Sequence, residues 1–166
     1  SAIRDPNPVI FLENEILYGQ TFEIPKLDDW TVPIGKANVA REGSDVTLVG
    51  ISYTTLLCHE AAVELEARGY SAEVIDLLSV SPMDEETILA SVRKTRKTVI
   101  VDEDYPRCSI ASDLSALVAE QAFDYLDAPP CRVTAPHAPV PYSMPLENQY
   151  GPTKEKIVEA VRLLLE

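Results

Sequence analysis

A chain of 166 residues with 46% hydrophobic content holds enough apolar material for one packed domain plus a short extension. Its formal charge of −13 argues against nucleic acid, whose phosphates it would repel, and suits solubility or a basic protein partner. No apolar run approaches the ~20 residues that a membrane span requires.

The three cysteines, Cys58, Cys108 and Cys131, are odd in number and show no CxxC spacing. They fit buried small apolar roles in a reducing compartment, which places the chain in the cytoplasm, rather than a disulfide framework or zinc site.

Val9 to Leu12 is a short continuous apolar run followed by polar residues, and reads as a buried strand. Such a strand needs neighbours on both sides and almost nothing precedes it, so the chain is expected to be a piece of a larger protein. Ser1-Ala2 is left out of the fold argument. Residues 13–36 carry Pro25, Asp28, Asp29, Pro33 and Gly35 with no sustained period. Phe22, Ile24, Leu27, Trp30 and Val32 within them need burial, which predicts an ordered connector rather than a flexible tether.

From residue 37 onward, short apolar runs alternate with amphipathic segments. Residues 45–51 are rich in β-branched side chains and predict a strand. Residues 54–68 place Leu57, Ala61 and Leu65 at helical spacing, and Gly69 ends that helix. Residues 72–77 form the next strand. Ser81-Pro82-Met83-Asp84 opens a helix reaching Lys97, with acids in its first turn and Arg93, Lys94, Arg96 and Lys97 in its last, complementing the helix dipole. Residues 98–101 predict a strand, 109–125 a helix and 132–134 a short strand. The stretch 127–145 reads as a proline-dense loop. Pro152 and Thr153 then start a terminal helix whose apolar side carries Ile157, Val158, Val161, Leu164 and Leu165, the last two completing the core. This alternation predicts a mostly parallel sheet with helices on both faces.

Ligands of open α/β sheets sit at the carboxyl ends of strands. The turn Gly50-Ile51-Ser52-Tyr53-Thr54-Thr55 has no G-x-G-x-x-G pattern, and six glycines in all are too few for the usual dinucleotide cradle. Ser52, Thr54 and Thr55 offer an anion site or, in the simpler reading preferred here, a helix N-cap. Asp102-Glu103-Asp104 offers magnesium ligands or an acid–base group. A solvated turn with one acid capping the next helix is preferred, because no convergent partner is identifiable. Glu13 and Glu15 alternate faces of an extended segment, which makes a paired role awkward. Cys58 and His59 are neighbours on a helix, about 100° apart, and cannot chelate one ion together. His137 lies in a loop with no nucleophile or carboxylate nearby in sequence, and reads as a surface or interface side chain. Bottom-up, the residues describe an α/β domain with no convincing active site of its own.

Leu12-Glu13-Asn14-Glu15-Ile16-Leu17-Tyr18-Gly19 resembles the segment joining the two domains of β subunits in thiamine-diphosphate-dependent 2-oxo acid dehydrogenases. Ile34-Gly35-Lys36-Ala37, Asp45-Val46-Thr47-Leu48-Val49, Glu73-Val74-Ile75-Asp76-Leu77 and Ser81-Pro82-Met83-Asp84 continue the likeness in order. Phe123 to Pro129 and Pro139-Val140-Pro141-Tyr142 extend it over nearly the whole chain. Glu13 to Gly19 and Phe123 to Pro129 look like pyruvate dehydrogenase β subunits. Asp102 to Ser109 and Thr134 to Pro141 look more like acetoin dehydrogenase β subunits. Pyruvate-type members usually carry glycines near 108–111, where this chain has none.

The resemblance implies a transketolase C-terminal-like domain at 37–166, a three-layer α/β/α sandwich with a mostly parallel, about five-stranded sheet. Residues 1–12 are then the last strand of a preceding pyrimidine-binding domain and 13–36 an inter-domain connector. In the parent enzyme thiamine diphosphate and magnesium are held by the α subunit and the absent domain. No catalytic, cofactor or metal residue therefore transfers to this chain, no cofactor is expected bound to it, and the isolated chain is expected to be inactive. The implied partners are the α subunit, a second β subunit and the basic peripheral subunit-binding domain of the acyltransferase core, with no nucleic acid and no membrane. Tyr18, Trp30, His137, Tyr142 and Glu166 are the candidate partner contacts. The alternative is a stand-alone ligand-binding or regulatory α/β domain using the Gly50 to Thr55 turn and Asp102 to Asp104.

Overall fold

The computed structural model describes residues 1–24, 26 and 28–165. Among these residues five strands form one sheet: β1 (Asn38–Arg41), β2 (Val46–Gly50), β3 (Ala72–Asp76), β4 (Thr98–Val101) and β5 (Cys131–Val133). Their spatial order is β1-β3-β2-β4-β5, with β1 antiparallel to β3 and every other pair parallel. The described residues also form the helices α1 (Tyr53–Ala67), α2 (Glu85–Thr95), α3 (Ile110–Gln121), α4 (Met144–Tyr150) and α5 (Lys154–Leu165).

Strand alternation builds the layers, because successive side chains point to opposite faces. Leu48, Val74, Val99 and Val101 face α1 and α5, packing on Leu57, Cys58, Ala61, Leu65, Ile157 and Val161. Val49, Ile75 and Ile100 face the other way, onto Ile88, Leu89 and Val92 of α2 and Leu114 and Val118 of α3. The result is the expected three-layer sandwich. Each fully buried Leu, Ile or Val contributes roughly 1.5–3 kcal/mol, so the two clusters hold the fold. Leu164 and Leu165 pack against the first cluster, as the sequence predicts.

Helix ends follow local chemistry. Asp84 caps α2 by accepting from the Thr87 amide at 3.3 Å, and Ser109 caps α3 by accepting from the Ser112 amide at 3.3 Å. Gly69 after α1 has φ +88°, the left-handed conformation that glycine adopts without penalty.

Several sequence expectations need correction. Residues 9–12 form no strand, and Ile10 and Phe11 are 87% and 73% exposed. An apolar run reports a need for burial, but a strand also needs a neighbouring ladder, and these residues lie outside the sheet. The connector's Phe22, Ile24, Trp30 and Val32 are likewise exposed, while Leu27 and Pro25 lie outside the described residues. The helix expected over 109–125 ends at Gln121, and Phe123–Tyr125 is a separate 3₁₀ turn. Cys108 is exposed rather than buried.

Two elements escaped the sequence reading. β1 has one large apolar side chain, Val39, and a register shift between Val39 and Arg41. α4 starts at the end of the expected proline loop and runs beyond it to Tyr150, announced only by Ser143 and by Pro145 in its first turn. Both sheet edges are blunted, β1 by its irregularity and β5 by its length of three residues. No described helix is long and apolar enough to cross a membrane.

Candidate interaction surface

β2 lies between β3 and β4, so the chain leaves it toward one side and returns to the other. The carboxyl ends of β2 and β4 flank that switch point, where α/β sheets place their ligands. Here the residues are tied into the protein itself. Thr54 Oγ1 donates to the Val101 carbonyl at 2.8 Å and accepts from the Ile51 amide at 2.8 Å, linking the ends of β2 and β4. Thr55 Oγ1 donates to Asp76 Oδ1 at 3.1 Å. Ser52 occupies the N-cap position of α1 but makes no side-chain cap bond, so the expected hydroxyl cap is replaced by these cross-links.

Gly50 is required by this packing. A Cβ there would lie 2.5 Å from Thr55 Cα, so only glycine lets α1 start so close to β2. Ser52, Leu78 and Cys108, in the loops after β2, β3 and β4, all have φ near +55°. Such backbone costs roughly 1–3 kcal/mol per residue and gathers where surrounding structure over-determines the loop.

Asp102 is buried rather than solvated. Its Oδ1 accepts from the Asp104 amide at 3.1 Å and its Oδ2 from the Ala111 amide at 3.1 Å, so it braces the start of α3. Both oxygens accept from backbone amides, so this carboxylate serves the fold of the loop and the helix start. No group of three or more His, Cys, Asp or Glu suited to a metal exists among the described residues. Glu103 accepts from Asn14 Nδ2 at 2.9 Å. Glu103 is open to solvent on one side, yet partial burial, joined by the Asp102 charge, pushes its carboxyl above the usual range against that hydrogen bond. Burial likewise raises the half-buried Asp76, although Thr55, the Leu78 amide and the His59 charge oppose it.

Described parts of the segment before β1 lie along this edge and are pinned by polar contacts. Besides Asn14 to Glu103, the Gly35 amide donates to Ser79 Oγ at 3.0 Å and the Ala37 amide to Asp84 Oδ2 at 3.0 Å. Between this strap and the loops at 51–52 and 78–81 runs a groove of about 830 Å³, with Trp30 and Asp76 on its wall. A second groove of about 740 Å³ lies between the starts of α1 and α5, the 3₁₀ turn Glu15–Gly19 and α4.

The sequence-predicted contact residues fall around this edge without converging. Tyr18 is exposed and donates to Glu13 Oε2 at 2.7 Å. Trp30 is 62% exposed beside the first groove, and Tyr142 is fully exposed. His137 is exposed and stacks edge-on against Tyr105, with ring centroids 5.4 Å apart. Glu166 lies outside the described residues. The sequence reading missed Met144 and Leu146, exposed on α4, because Met144 fell in the expected loop and residues 146–150 were given no element. These exposed apolar side chains make this edge a candidate interaction surface.

Residues 35–157 match the protein family described as Transketolase, C-terminal domain. The chain is 50% identical over 162 residues to the pyruvate dehydrogenase E1 component subunit beta of Rhizobium meliloti, covering 98% of this chain and 35% of that protein. It is also 50% identical over 165 residues to the acetoin:2,6-dichlorophenolindophenol oxidoreductase subunit beta of Bacillus subtilis, covering 99% of this chain and 48% of the other. The chain therefore spans between a third and a half of the length of these relatives. Among solved structures, a split-gene transketolase described as an inactive beta4 tetramer superposes with TM-score 0.71 and 29% identity, over 86% of this chain and 46% of that one. Sequence blocks, sandwich topology and these matches agree: the chain belongs to the transketolase C-terminal domain family.

Proposed function

We propose that this chain is the C-terminal region of the β subunit of a thiamine-diphosphate-dependent component of a 2-oxo acid dehydrogenase-type complex, and that it contributes assembly rather than chemistry. The parent reaction is cleavage of pyruvate or acetoin with transfer of the two-carbon acyl unit to lipoamide. Residues 1–12 belong to the preceding pyrimidine-binding domain and 13–36 to the connector. Thiamine diphosphate and magnesium sit outside this chain, in a cytoplasmic enzyme whose α subunit and second β subunit meet this region. A basic domain of the acyltransferase core docks on its acidic surface.

One observation carries this reading. Large apolar side chains are exposed along 9–24, 30–34 and 140–146, whereas Asp102, Thr54 and Thr55 are committed to internal bonds. Co-expression with the companion α subunit tests it. Stable co-purification is the expected result. Turnover of pyruvate or acetoin by this chain alone, with thiamine diphosphate and magnesium, defeats it.

The second reading, a stand-alone ligand-binding domain, is favoured by the groove of about 830 Å³ beside Asp76. Calorimetry against nucleotides and organic anions separates the two, since binding at that edge without any α-subunit association selects the second.

A further inference from the structure

The groove of about 830 Å³ between the strap and the loops at 51–52 and 78–81 has a mainly apolar wall, built by Phe11, Leu12, Trp30, Val32, Leu78 and Val80. Small-molecule sites commonly enclose about 300–1,000 Å³ with such walls and a few placed polar groups. Two carboxylates, Asp76 and Glu13, line this groove, and no Lys, Arg or His side chain among the described residues does. Glu13 already accepts from the Tyr18 hydroxyl at 2.7 Å. Asp76, at the carboxyl end of β3, is held by two neutral donors, the Thr55 hydroxyl at 3.1 Å and the Leu78 amide. They fix its position without cancelling its charge. His59 of α1, whose charge also acts on Asp76, is not part of the lining.

We infer that this groove binds a small organic ammonium ion with an aromatic or branched aliphatic body, its charged nitrogen on Asp76 and its body against Trp30, Phe11 and Leu78. The inference rests on the reading of this groove as a ligand site, not on the assembly reading, and names the ligand class. Apolar walls supply contact area, an indole face attracts cations, and one fixed carboxylate sets orientation and specificity. The burial that pushes the Asp76 carboxyl up, against Thr55, the Leu78 amide and the His59 charge, agrees with this. An arriving ammonium relieves the electrostatic cost of the ionised form. An anion would instead meet Asp76 and Glu13 with no cationic side chain to receive it, so the site selects by repulsion as well as attraction.

The test uses the full chain at neutral pH and three probes of similar size: 2-phenylethylamine, protonated at that pH, its neutral counterpart 2-phenylethanol, and the anion 3-phenylpropanoate. Isothermal calorimetry should show the amine binding about tenfold more tightly than the alcohol, the size of one charge-assisted hydrogen bond, and no binding of the anion. Asp76→Asn should remove that preference and leave the affinity of the alcohol as it was. Trp30→Ser should weaken the amine and the alcohol together. Glu120→Gln, exposed on α3 and outside the groove, should change nothing.

Absence of amine binding, equal affinity of the alcohol, tighter binding of the anion, or a preference for the amine that survives Asp76→Asn each overturn the inference. Circular dichroism shows whether Asp76→Asn remains folded. If it does not, the ranking of the three probes on the unaltered chain and the loss with Trp30→Ser, at an exposed position, decide. Co-purification with the α subunit is scored separately, so failure of the groove and failure of the assembly reading are told apart.

Discussion

Asp84 and Ala37, 47 positions apart, are joined by a hydrogen bond of 3.0 Å from the Ala37 amide to Asp84 Oδ2. The same carboxylate caps α2 through the Thr87 amide, accepts from the Thr87 hydroxyl at 2.9 Å and lies 3.6 Å from Lys36 Nζ. One buried side chain thus fixes a helix start and the end of the connector together.

Asp84→Ala should lower stability by about 2–3 kcal/mol, from a lost cap and an orphaned amide. For a domain of this size that is roughly 5–10 °C in Tm, readable by calorimetry. Burial raises the Asp84 carboxyl, but the Ala37 amide, the Thr87 hydroxyl and amide and Lys36 together hold it below its ordinary value. Because the folded value is depressed, this contribution is complete above about pH 4 and disappears as pH falls through the lower folded value. Asp84→Asn should therefore flatten the acid limb of the stability profile.

Gly50→Ala should cost about 2–3 kcal/mol, since the added methyl meets the Thr55 backbone and must push α1 from the sheet. Urea unfolding followed by circular dichroism measures it. An unchanged midpoint would refute the close approach.

Two neighbouring threonines should respond with opposite sign. Thr47 and Thr98 are paired in register between β2 and β4 and both are fully buried. Thr47 Oγ1 shares hydrogen bonds with Ser91 at 2.7 Å and Thr95 at 2.6 Å, whereas Thr98 Oγ1 finds no partner among the described residues. Thr47→Val should cost about 1–2 kcal/mol, while Thr98→Val should be neutral or stabilising by up to about 1 kcal/mol. Equal losses in denaturant titrations would contradict the difference.

Trp30 is the single tryptophan, so its fluorescence reports on the strap alone. In the isolated chain it should emit as solvated indole and be quenched readily by acrylamide, given its exposure. Addition of the α subunit should shift the emission to the blue if this face is an interface. Unchanged emission in a formed complex would remove Trp30 from the contact set.

Strong local signals survived the passage from sequence to structure. Val46, Leu48 and Val49 in one run could only be a doubly covered strand, and Asp84 followed by two acids named the start of α2. Failures arose where the deciding partner is distant in sequence. β1 exists because Asn38 and Val39 meet Asp76 and Ile75, a pairing that four modest residues do not announce. The 9–12 run showed apolar character truthfully but not what covers it. Around the edge, the sequence singled out Ser52, Thr54, Thr55 and Asp102. The commitment of Thr54, Thr55 and Asp102 to internal bonds depends on Val101, Asp76 and Ala111, which no spacing rule connects to them.

The blunted borders of the sheet decide how this domain can meet other chains. With an irregular β1 on one side and a three-residue β5 on the other, neither margin offers a straight row of free amides and carbonyls. Backbone pairing, which accepts almost any extended stranger, is therefore closed to it. Recognition has to be written in side chains, and a domain so built can be apolar outside without inviting indiscriminate aggregation.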